Sequence, residues 1–125
     1  MFNTKVTDGV YVNTALATYT FTDIIEYVRE NIQLWEKSPL IWDLTKFPLS
    51  KQAEPSDIIR QQLSQSMDLA ERRSGNRTAF VAPQDYDYGM FRMYCVFTEF
   101  LDYPVEMATF RTFEDAKAWI KGKMK

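Results

Sequence analysis

Apolar residues alternate with polar ones at the start of the chain, then recur every three to four positions, and the chain goes on switching between these rhythms to its end. Thr4–Thr7 and Val10–Ala17 alternate around Asp8-Gly9, a pair that accepts the positive φ angles of a tight turn, so a β-hairpin is predicted. Thr20-Phe21-Thr22-Asp23 has the spacing of a capping box, in which Thr20 and Asp23 satisfy free N–H groups at a helix start. Behind it Ile24, Ile25, Val28, Ile32 and Trp35 share one face of a helix that Ser38-Pro39 ends. Leu40–Leu44 is a short apolar run of the kind that makes a central buried strand. After a polar loop over 46–55, a second helix is predicted from Ser56 to Arg72, with a narrow stripe of Ile59, Leu63, Met67 and Ala70. Gly75 suits the left-handed position beyond its end. Arg77–Ala82 is a further buried strand, Tyr88–Asp102 a third helix and Val105–Phe110 a fifth strand. Thr112-Phe113-Glu114-Asp115 repeats the capping pattern and opens a last helix closed by Gly122.

The resulting order, β-β-α-β-α-β-α-β-α, predicts an α/β fold. Strands joined through helices make a mostly parallel five-stranded sheet, the initial β-hairpin adds one antiparallel strand, and four helices are expected to cover both faces. The 125 residues suit one domain spanning 1–125, large enough to bury roughly two thirds of its unfolded surface. No run approaches the length of a membrane span.

Composition narrows the chemistry. The chain has no histidine, which removes imidazole triads, acid–base histidines and His–carboxylate metal sites. With a single cysteine, Cys95, neither an internal disulfide nor a structural zinc site is expected. That usage, and the lack of a secretory leader pattern over Met1–Thr7, lead to the expectation of a cytoplasmic protein. A net charge of −2 argues against nucleic acid as a partner. Gly89 alone is not a phosphate-binding loop, and no cofactor is expected.

Three segments, LIWDLT at 40–45, RTAFVAPQDYDYGMFRMY at 77–94 and FRTFEDAKAWI at 110–120, resemble the SpoIIAA-like branch of the STAS superfamily, often grouped with SEC14-type domains. The resemblance runs from about Lys5 to Lys121. It implies a STAS fold and a non-enzymatic module, either a protein-binding regulator or a carrier of lipids and other non-polar molecules. Anti-anti-sigma members carry an Asp-Ser pair after the strand that ends in Asp-Leu. Here Asp43-Leu44 is followed by Thr45-Lys46-Phe47-Pro48, so the phosphoserine switch does not transfer.

The third helix is apolar around most of its circumference, where a surface helix should carry one stripe. Met90, Phe91, Met93, Tyr94, Cys95, Val96, Phe97, Phe100 and Leu101 are interrupted only by Arg92, Thr98 and Glu99. The surplus is accounted for by a large core, by a homodimer or partner face along helix 88–102, or by a pocket for a non-polar ligand. The leading expectation is the pocket, holding a non-polar small molecule or lipid. Phe47, Leu49, Ile59, Leu63 and Met67 would line one side and Met90, Phe91 and Tyr94 the other, with Tyr86 and Tyr88 at the mouth and helix 56–72 as the lid. The alternative is a protein-interaction regulator that docks through helix 88–102 or the loop at 45–56.

The last segment, Phe110–Lys125, holds five basic residues against two acidic ones, a charge pattern that fits peripheral contact with an anionic membrane; the plainer reading is lysines complementing a helix end. Cys95, among large apolar residues, is expected to be an inert buried thiol. Asp43 ends the central strand without an evident catalytic partner, and no acid–base pair converges, so no enzyme is expected.

Overall fold

The structure is a computed structural model and describes residues 1–51 and 53–122. Lys123, Met124 and Lys125, part of the basic tail, lie outside the described residues. The elements run β1 (Phe2–Thr7), β2 (Val10–Ala15), α1 (Phe21–Trp35), β3 (Leu40–Asp43), α2 (Pro55–Gln65), α3 (Met67–Arg72), β4 (Arg77–Val81), α4 (Asp85–Phe100), β5 (Glu106–Phe110) and α5 (Phe113–Ile120).

The sheet has five strands in the order β1-β2-β3-β4-β5. β1 and β2 form the antiparallel hairpin, and Asp8 and Gly9 take φ values of 52° and 77° at its turn. The other pairings are parallel, with Leu40 opposite Thr78 and Thr78 opposite Met107. Each parallel strand is added on the same side of its predecessor. Right-handed crossovers that all step in one direction must lie on one face. Accordingly α1, α2, α3 and α4 share that face, over Trp42, Phe80 and Met107. α5 alone covers the other, where Trp119 and Ala116 meet Ile41, Ala79 and Val81. Both faces are covered, as expected, but unevenly: four helices lie on one and α5 alone on the other.

Both capping patterns form. Thr20 accepts from the Asp23 amide at 3.1 Å while the Asp23 carboxylate accepts from the Thr20 amide at 2.9 Å. Thr112 accepts from the Asp115 amide at 3.2 Å.

Four helices become five because Ser66 interrupts the expected helix over 56–72. Its backbone leaves the helical region (φ −108°, ψ 11°). Its buried hydroxyl lies 3.3 Å from the Leu63 carbonyl and 2.8 Å from the Tyr103 hydroxyl. A side chain that bonds its own preceding turn competes with the helix ladder, and here a tertiary partner fixes that choice. α4 starts at Asp85 rather than at Tyr88, so Tyr86 belongs to its first turn instead of the loop before it.

Candidate functional site

At the carboxyl end of the parallel strands, where open α/β sheets offer their crevice, the chain after β3 folds back over the start of α4. The Ser50 amide donates to the Tyr19 carbonyl at 2.8 Å, and Tyr19 and Leu49 form a parallel bridge. The Leu49 amide donates to the Asp87 carboxylate at 3.3 Å. Asp87 is 3% exposed, and burial pushes its carboxyl above the ordinary range. The Tyr19 ring is buried, and its hydroxyl finds no hydrogen-bond partner among the described residues. Burial, aided by the nearby Asp87 charge, pushes that phenol far up. Neither group is an exposed acid or base; the pair is a polar knot inside an apolar region.

Asp43 turns inward on its own loop. Its carboxylate accepts from the Thr45 amide at 3.2 Å and the Thr45 hydroxyl at 2.7 Å, an Asx-type turn. Cys95 is a free, buried thiol pushed up to about 11 by burial.

Six of the ten expected pocket residues are brought together. Leu49, Ile59, Leu63, Met90, Phe91 and Tyr94 are buried in one cluster. They do not enclose a ligand-sized hollow, because Phe21 and Phe80 occupy the space between them. Phe91 stacks on Phe80 at 4.7 Å and meets Phe21 edge-on at 5.3 Å, while Tyr94 stacks on Phe21 at 5.1 Å. The other four lie apart. Phe47 is exposed and Met67 half-buried at the start of α3. Tyr86 lies near Lys51, whose ammonium is 5.7 Å from its ring, and Tyr88 lies beneath the Arg111 guanidinium at 4.0 Å. A cavity of about 30 Å³ borders this cluster at Tyr94 and Phe80, between α1, α3 and the sheet, against Ile24, Leu69 and Met107. That is room for a water, whereas pockets for drug-sized ligands span about 300 Å³ or more.

The apolar surplus on α4 divides by face. Phe91, Tyr94, Cys95 and Thr98 turn into the core. Tyr86, Gly89, Met93, Val96 and Phe100 follow one another in steps of three and four residues, which sets them on one line along the helix. Phe100 is 82% exposed and Val96 53%, and Leu101 flanks them at 37%. Gly89 notches this line, since a Cβ built there meets nothing within 4 Å. Leu34, on α1, and Leu16, just after β2, are also exposed. Two charges border the strip, Arg92 and Glu99, both exposed and two turns apart.

The basic residues of the last segment that lie within the described residues, Arg111, Lys117 and Lys121, are engaged within the fold. Lys117 and Lys121 reach Asp8 at 3.0 and 3.4 Å, and together they pull its carboxyl below the usual range. Arg111 pairs with Asp85 at 2.6 Å.

Compared with family models, curated proteins and solved structures, the chain matches none. Among the described residues no helix is long and apolar enough to cross a membrane, and no group of three or more acidic or cysteine side chains is placed to hold a metal ion.

Proposed function

We propose that this chain is a non-enzymatic binding module of STAS (SpoIIAA-like) type that docks another protein surface along the outward strip of α4. The exposure of Phe100 and Val96, in line with Met93 and Tyr86, carries this reading. A contiguous apolar strip on a rigid helix, bordered by charge, has the make-up of an interface core with a polar rim. The element order and the one-directional sheet support the STAS type.

The apolar-ligand reading would use the same helices from the inside. It requires α2 to leave α4 and uncover Ile59 and Leu63, both wholly buried. The closed aromatic cluster therefore favours the outer face of α4 over its inner one.

A photo-crosslinking residue in place of Val96 tests the docking reading, with the same residue in place of the exposed Gln33 on α1 as control. In cells that make the protein, position 96 is expected to give one discrete protein adduct, lost when Phe100→Asp is added, and position 33 none. No adduct from position 96, or the same adducts from both positions, overturns the reading.

A further inference from the structure

We infer that the occupant of this strip is a second copy of the chain, its α4 lying antiparallel across the first; the inference rests on the docking reading above. The strip complements itself in both shape and charge. Its one notch, Gly89, and its most prominent side chain, Phe100, are equally far from a point between Tyr94 and Cys95. A twofold axis through that point lays Phe100 of each copy over Gly89 of the other and sets Met93 beside Val96. Large side chain into small gap, repeated twice by symmetry, is what an isologous interface requires.

The flanking charges obey the same axis. Arg92 and Glu99 lie on one border of the strip and are almost symmetric about it. In an antiparallel helix pair each border faces its own copy, so Arg92 of one chain meets Glu99 of the other, twice. A heterologous partner would have no reason to match a pattern that already matches itself. Of two further exposed cations near the strip, Lys51 lies over the Tyr86 ring at its far end, and Arg60 on α2 is paired with Asp57 at 2.7 Å and covers Phe97 on the opposite border.

A helix of 16 residues is about 24 Å long, and one helix pair falls in the small class of specific interfaces, below about 1,200 Å². The expected dimer is therefore reversible, half-formed at concentrations of order 10–100 µM.

Sedimentation analysis across that range measures it. The parent chain is expected to shift from 14.7 kDa towards twice that mass. Phe100→Asp is expected to abolish the shift. Gly89→Leu fills the notch and is expected to weaken association at least about tenfold while raising the melting temperature, because leucine is the better helix former. That opposite movement separates a lost interface from a damaged fold. Arg92→Glu and Glu99→Arg are each expected to weaken the dimer several-fold, and the double exchange to restore it. A parent that stays at 14.7 kDa to about ten times the upper concentration, or a dimer indifferent to Gly89→Leu and Phe100→Asp, overturns the inference. If the Val96 crosslinker meanwhile captures a different protein, the docking reading stands and only the self-pairing fails; if it captures nothing, both fall.

Discussion

Asp87 shows how one residue can be placed against its own chemistry. Its carboxyl is held above the ordinary carboxylate range because burial outweighs the Leu49 amide bond. The folded protein therefore holds that proton more tightly than the unfolded chain. The stability this contributes is present below the unfolded value of about 3.9 and is lost as pH rises through the raised folded value. At neutral pH the buried charge is a cost. Asp87→Asn keeps an acceptor for Leu49 and removes the charge. It is expected to melt higher than the parent at neutral pH, with the gap closing as pH falls to about 4. Thermal melts from about pH 4 to about pH 8 check this; a variant less stable at neutral pH would show that the ionised carboxylate stabilises the fold and that burial is not the dominant effect. Neither Asp87 nor Tyr19 was legible in the sequence as part of a site. What buries Asp87 is the loop around Leu49, 38 positions away, and local patterning carries no trace of that contact. The aromatic filling was hidden for a related reason. Phe21 stands inside a capping motif, and its local role conceals its place at the centre of the core.

At the scale of elements, local chemistry was legible wherever the determinant was local. The hairpin at Asp8-Gly9 and the helix starts at Thr20 and Thr112 depend on residues within three positions of one another, and all three form as the pattern predicts. The break at Ser66 depends on Tyr103, and the polar run around it reads as unbroken helix without that partner. The end of α1 is settled at a distance too. Its last turn has no basic residue to meet the free carbonyls. Arg73, 3% exposed, supplies the donors instead, reaching the Trp35 carbonyl at 3.1 Å and the Ser38 carbonyl at 3.0 Å. Asn76 adds a bond to the Glu36 carbonyl at 2.7 Å. Burial pulls the guanidinium down to about 10, so it remains charged at neutral pH, and its third partner is the Thr78 hydroxyl at 2.8 Å. One buried cation thus pins α1, α3 and β4 together through neutral acceptors and the negative end of a helix. Arg73→Met keeps much of the volume and strands those acceptors. It is expected to lower stability by about 3 kcal/mol in equilibrium urea unfolding, and a loss under about 1 kcal/mol would show that water replaces the arginine.

Across the whole molecule, the fold class and the strand sequence were legible because each rests on periodicity. The distribution of helices between the faces was not, because it depends on the direction in which strands are added. That direction has an energetic reading. β3 and β4 are bonded on both sides and lie under both cores, whereas β1 ends the sheet on one side. Native-state hydrogen exchange is expected to find the slowest amides at Ile41, Ala79 and Phe80, and faster exchange at Lys5 and Val6 in β1. Equal protection of β1 and β3 would contradict this picture of a sheet strongest at its middle.

A sheet whose strands stand in chain order also bears on how the protein is born. Each strand emerging from the ribosome finds the edge it must join already made by its predecessor, and no arriving segment has to be inserted between two others. Assembly can keep pace with synthesis, strand upon strand, until α5 seals the second face after the last strand is in place.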